Sequence, residues 1–188
     1  MLYFTINLSI DKKQKKIMQK FILHITTQNF DFIKDNRFEC FILAHDLSLD
    51  FKQKFVQKVK EAGKTVLGES AQDCLTYALD GVLIDLTKSD LIAQDYTSAT
   101  QGLKGKFIGV ISRNRRHEAM LISECEPDFI VFKVWTDGKE KLQDLTAWYA
   151  ELFLIQSAIM PMESLDYRQF TSDFVILDDS TFLKPDFY

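Results

Sequence analysis

Seven polar side chains stand at or just behind the ends of short apolar runs in this sequence, and their types could do chemistry. Asp46 follows the run 38–45, Glu69 follows 65–67, and Asp85 lies near the end of 81–86. Ser112 and Arg113 close 107–112, Lys133 lies near the end of 129–134, and Asp178 follows 174–177. Carboxylates are the donors a hard divalent cation takes, so Asp46, Glu69 and Asp85 could form a cluster for one, with Glu69 and Asp85 the candidate metal ligands. The alternative is a set of scattered, solvated acids. Lys133 could form a Schiff base or pair with Asp85, Asp178 or Asp179. Arg113, with Arg115 and Arg116, could hold an anion at the start of a helix, or form a solvated basic turn.

Several familiar chemistries are excluded. There is no C-x-x-C, no Ser-His-Asp order and no Gly-rich phosphate loop. His45 and His117 lack ligand spacing to one another. Gly numbers only 7 and Pro 3, which leaves few places for backbone to approach a phosphate closely. Cys40, Cys74 and Cys125 are scattered, the pattern of reduced, buried thiols in a cytoplasmic protein.

The apolar runs have the length and the Ile, Val and Phe content of strands buried on both faces. Between them the apolar residues recur at helical spacing. A strand is expected at 2–8, then an amphipathic helix over 11–25 with Ile17 and Phe21 on one side and Lys12, Lys13, Lys15, Lys16 and Lys20 on the other. After an irregular connection at 28–37 come strand 38–45, helix 49–62 ending at Gly63, strand 65–67, helix 71–78 and strand 81–86. A weaker helix at 91–103 leads to strand 107–112, then its helix with Ala119, Ile122 and Ser123 on one face, strand 129–134, helix 139–152 and strand 155–159. Pro161 is placed at the first turn of a short helix reaching about residue 170, ahead of strand 174–177. Strand and helix thus alternate eight times, which predicts a single domain over 1–188 folded as a compact (β/α)8 TIM barrel. Such barrels typically take about 250 residues, so this one is trimmed, chiefly around its third and fourth strands. An open doubly wound sheet is the competing arrangement.

With 46% hydrophobic and 27% charged residues, the chain can bury a sizeable core. A net charge of −4 gives no electrostatic ground for a nucleic-acid partner. No basic segment precedes a long apolar stretch at the N-terminus, and no run approaches the roughly 20 residues of a membrane span. A soluble, cytoplasmic protein with no membrane partner is expected.

Several stretches carry a resemblance. Leu79-Asp80-Gly81-Val82-Leu83-Ile84, Ile108-Gly109-Val110 with Arg116-His117 and Ala119-Met120, Pro127-Asp128-Phe129-Ile130-Val131-Phe132, and the Trp148 helix resemble, in order and spacing, the thiamine phosphate synthase/TenI family in its alphaproteobacterial form. Less closely, Leu2-Tyr3-Phe4-Thr5 and Ser172-Asp173-Phe174-Val175 match its first and last strands. The resemblance implies a barrel that couples hydroxymethylpyrimidine diphosphate to thiazole phosphate, releasing pyrophosphate, with Mg2+ as cofactor. It implies a phosphorylated small molecule as ligand.

The family's phosphate-binding residues are mostly replaced. Its Gln, Arg and Lys behind strand two fall on Ile42, Ala44 and Asp46, and its Asn-Asp-Arg behind strand three falls on Gly68-Glu69-Ser70. Its acidic metal ligand behind strand four could be served by Asp85 or Asp90. Ile111, Ser112 and Arg113 stand for a small hydroxyl residue and a His. Its Gly-Pro behind strand six becomes Lys133-Val134-Trp135, which predicts a smaller, partly filled cavity. Its Gly-Gly becomes Met160-Pro161, and Pro has no N–H to offer. Its Ser-Gly becomes Asp178-Asp179, two negative charges aimed at a phosphate site. Two expectations follow: a pseudoenzyme of this transferase class with catalysis lost or strongly reduced, or a non-catalytic barrel that binds a protein partner or regulates.

Overall fold

Eight parallel strands close on themselves in the computed structural model, which describes residues 19 to 182. They are β1 Lys20–Ile25, β2 Phe38–Leu43, β3 Thr65–Gly68, β4 Gly81–Asp85, β5 Phe107–Ser112, β6 Phe129–Val134, β7 Gln156–Pro161 and β8 Phe174–Asp178. Each pairs with the next and β8 returns to β1, so the open-sheet alternative falls. Helices α1 Leu49–Glu61, α2 Ala71–Thr76, α3 Ile92–Ala99, α4 Arg116–Glu124, α5 Lys139–Leu152 and α6 Asp179–Phe182 follow strands two to six and eight. The β1–β2 and β7–β8 connections hold only short 3-10 turns, Asp31–Lys34 and Tyr167–Gln169, and α2 has six residues. That is how so short a chain closes a barrel. No helix of the described residues is long and apolar enough to cross a membrane.

Two expectations need correction. Residues 20–25 form β1, not the end of a helix over 11–25; the strand expected at 2–8, and Lys12, Lys13, Lys15 and Lys16, lie outside the described residues. Leu23 and Ile25 pack under the helices while Ile22 joins the barrel interior. With both faces buried, the strand shows no polar alternation that would separate it from a helix. Pro161 opens no helix; it ends β7 opposite Val134, and the Met162 N–H takes the Val134 carbonyl.

The interior is one apolar column: Ile22, Ile42, Leu67, Leu83, Ile111, Phe129, Val131, Ala158 and Ile176, with Cys40 and Phe174 packed against it. Burial, then the charge of Asp80, pushes the Cys40 thiol up to about 12, which disfavours the nucleophilic thiolate. Phe129 meets Phe174 edge to face at 6.0 Å and lies over Gly109, where any Cβ would overlap its ring. Outside the strands, Phe30, Phe41, Phe51 and Phe55 interlock beneath α1.

Three aspartates set the register at the floor. Asp80, immediately before β4, donates its N–H to the Val66 carbonyl and accepts the Val66 N–H on Oδ2, both at 2.9 Å. Asp128 brackets Ile108 in the same way at 2.8 and 2.7 Å, and Asp173 brackets Ser157 at 2.9 and 2.8 Å. Each acid starts an even-numbered strand and grips the odd-numbered strand before it. β2 has no such aspartate before it, Arg37 standing there, and in this pair the register slips between Phe21 and Ile22.

Asp128→Ala leaves the Ile108 N–H without its side-chain acceptor. It is expected to lower the free energy of unfolding by about 1–3 kcal/mol, with Asp128→Asn recovering much of this because an amide oxygen still accepts. An unchanged urea midpoint in Asp128→Ala would refute the role. Gly109→Ala is expected to cost about 1–3 kcal/mol by overpacking against Phe129, read in the same titration.

Candidate functional site

The C-terminal ends of the strands ring a basin of about 620 Å³. Alternation decides what enters it: in β4 Leu83 and Asp85 point inward, in β6 Val131 and Lys133, in β8 Ile176 and Asp178. The floor is apolar, made by Leu83, Ile111, Met160 and Ile176, and the rim carries His24, His45, Glu69, Asp85, Lys133, Asp178 and Ser180.

One side of the rim is organised around His24 at the end of β1. Its Nε2 lies 3.0 Å from Oε1 of Glu69, and its Nδ1 lies 3.7 Å from Oδ2 of Asp178. The Glu69 contact is close but off the line of a hydrogen bond, leaving Nε2 without a directed partner. Glu69 also accepts the His45 N–H at 2.8 Å. Burial raises the Glu69 pKa, but the His24 ring and the His45 N–H outweigh it, and the net shift is downward. His45 is held from below by Lys52, a buried cation on α1, whose ammonium donates to the His45 carbonyl at 2.7 Å and to Asp73 at 3.0 Å. Asp73 also lies 3.2 Å from the His45 ring.

Across the basin Lys133 donates to Oδ2 of Asp85 at 2.9 Å, while the Thr87 N–H and hydroxyl occupy Oδ1. Burial again raises the carboxyl, and Thr87 and Lys133 together bring Asp85 below its ordinary value. Of the partners named for Lys133, it takes Asp85.

The structure thus collects Glu69, Asp85, Lys133 and Asp178 around one basin and leaves the other three candidates outside its lining. Asp46 is exposed in the loop behind β2. Ser112 is buried, its hydroxyl donating to the Arg113 carbonyl. Arg113 is tied to Glu118 at 2.7 Å and to the Ser89 carbonyl at 2.5 Å, which pins the loop behind β4 to α4. Asp179 is no phosphate-facing charge: it is fully buried and accepts the N–H and hydroxyl of both Thr26 and Thr27. Trp135 is 42% exposed and does not line the basin, so it does not fill the cavity as its place in the sequence suggested. His24 escaped the sequence reading because its strand was taken for helix; its one signal is the alternation Ile22, His24.

The side chains do not fit a magnesium site on Glu69 and Asp85. No group of three or more His, Cys, Asp or Glu among the described residues could hold a metal ion. The oxygens of both carboxylates already face the partners given above.

A closed parallel barrel with its polar groups gathered at the strand C-termini defines the class, a (β/α)8 barrel with a mouth site. Solved barrels of very different sequence superpose on it. Tryptophan synthase from M. tuberculosis, in a ligand-free form, matches at a TM-score of 0.64 and 10% identity over 87% of this chain and 84% of that one. Orotidine 5'-monophosphate decarboxylase from Methanocaldococcus jannaschii matches at 0.57 and 13%, over 92% and 95%. At such identities the likeness is one of fold alone. No family model and no curated protein sequence matches the chain.

Because folded Glu69 is more acidic than its ordinary 4.5, its contribution to stability is fully present above that value and is lost as pH falls through the lower, folded pKa. The gap in urea midpoint between wild type and Glu69→Gln is therefore expected to narrow between about pH 7 and about pH 3. A gap that stays constant would show that the carboxylate's surroundings do not favour its charge.

Proposed function

We propose that the chain is a divergent barrel of the thiamine phosphate synthase/TenI type. In this reading the coupling of hydroxymethylpyrimidine diphosphate to thiazole phosphate is lost or strongly reduced, and the mouth is kept for a small molecule without phosphate. The observation that carries the reading is the charge of the basin. Glu69, Asp85 and Asp178 face one ammonium, Lys133, and Asp85 already takes it.

A departing pyrophosphate needs cations and N–H donors where its charge develops, and losing one such donor typically costs about 10²–10³ in rate. Here Pro161 has no N–H to give and Arg113 is committed to Glu118. A phosphate brought about 4 Å from Asp178 would meet a repulsion of about 4 kcal/mol at an effective dielectric near 20. Glu69 and Asp85, both acidified by their neighbours, stay charged and add to it. Exposed Trp135 and Met162 favour a second reading, a barrel that docks a protein partner.

Purified protein given both substrates and magnesium is expected to form no thiamine phosphate above the uncatalysed background. Turnover in the wild type that Lys133→Ala abolishes would overturn this reading.

A further inference from the structure

We infer that the basin takes a small organic cation, an amine on an apolar body, with Asp178 as its direct partner. The inference rests on the reading that the mouth binds a small molecule and narrows it to one class.

The rim carboxylates are unequal. Oε2 of Glu69 takes the His45 N–H and Oε1 is covered by the His24 ring at 3.0 Å. Both oxygens of Asp85 are occupied, by Thr87 and by Lys133. Oδ1 of Asp178 takes the N–H and hydroxyl of Ser180. Its Oδ2 has only the His24 ring, 3.7 Å away and beyond hydrogen-bond reach. Oε1 of Glu69 also lacks a directed donor, but the His24 ring stands against it at 3.0 Å, so among the described residues Oδ2 of Asp178 is the rim carboxylate oxygen least obstructed for a ligand donor.

Beneath it lies the floor of Leu83, Ile111, Met160 and Ile176, a surface for hydrocarbon and not for a hydrated ion. A carboxylate oxygen lacking a donor beside such a floor favours an N–H that brings its own positive charge, since charge-assisted hydrogen bonds are the strong ones. The excess of carboxylate over ammonium around the concavity concentrates cations in it and turns anions away. Lys133, held by Asp85, does not compete for Asp178. A cavity of about 620 Å³ accommodates a ligand of one or two rings.

The test uses three probes with one hydrocarbon body: benzylammonium, benzyl alcohol and benzyl phosphate. Each is titrated into the full chain while the methyl signals of Met160, Ile111 and Ile176 are followed by NMR. Benzylammonium is expected to move those signals and to bind about tenfold or more tighter than the alcohol. Asp178→Asn, which keeps the Oδ1 acceptor for Ser180, is expected to abolish that preference. Asp166→Asn, an exposed acid away from the basin, is expected to leave it intact. Equal binding of amine and alcohol overturns the cation assignment and leaves the small-molecule mouth standing. Preferential binding of benzyl phosphate overturns both, and so does the absence of any saturable shift.

Discussion

Everything at the mouth depends on a register fixed at the opposite end. In a parallel barrel a slip of one residue turns every inward side chain outward. The floor aspartates prevent that slip with a pair of hydrogen bonds each, spent on backbone groups that a strand start would otherwise leave to water. Asp80, Asp128 and Asp173 lock β4 to β3, β6 to β5 and β8 to β7 at the same position in each pair. Counting up by twos from the residue after each lock, Gly81, Phe129 and Phe174, brings Asp85, Lys133 and Asp178 to the basin. The fourth pair lacks an aspartate and its pairing slips. The β8–β1 seam is tied at the far end instead, where Asp179 binds the backbone and hydroxyls of Thr26 and Thr27 behind β1.

The rim is held by groups that lie outside it. Lys52 and Asp73 form a buried ion pair under the loop behind β2 and so set where His45 sits. Arg113 and Glu118 do the same for the loop behind β4. A buried pair such as Lys52 and Asp73 contributes little net stability over an apolar substitute, but breaking it leaves a stranded charge. Both pairs fix conformation, and here the conformation fixed is that of the strand ends that carry the site.

From β2 to β8 the strands were legible because each is an apolar run bounded by turn residues, and strand five is found with no change of bounds. The first strand was not legible. Ile22, Leu23 and Ile25 are buried on the two faces of the strand with Phe21 and His24 half-buried, and the lysines before them completed a plausible helical face. With that strand went His24, the residue joining Glu69 to Asp178. The carboxylates and Lys133 were visible because strand ends are where such barrels keep their chemistry. Which of them meet was not visible, since Asp178 and Asp179 differ by one position and face opposite ways. Only the presence of Thr26 and Thr27 behind β1 decides that Asp179 is structural.

The stretches that resemble the thiamine phosphate synthase/TenI family are mostly floor and wall. Asp80, Asp128 and Asp173 are the register locks, Gly109 makes room for Phe129, and the Trp148 helix packs outside the strands. Barrels keep residues of stability at the N-terminal face and residues of reaction at the other. A resemblance concentrated in the first set speaks of how the chain folds and leaves the second set open. The physics allows the two to part, because the floor constrains the mouth only through register: it dictates that position 178 faces the basin, not that it carry a carboxylate. A carboxylate there adds no load to barrel closure, since Ser180 and the solvent of an open basin satisfy it. In the proposed reading what it disfavours is an anion, and that would separate this mouth from one that cradles a diphosphate.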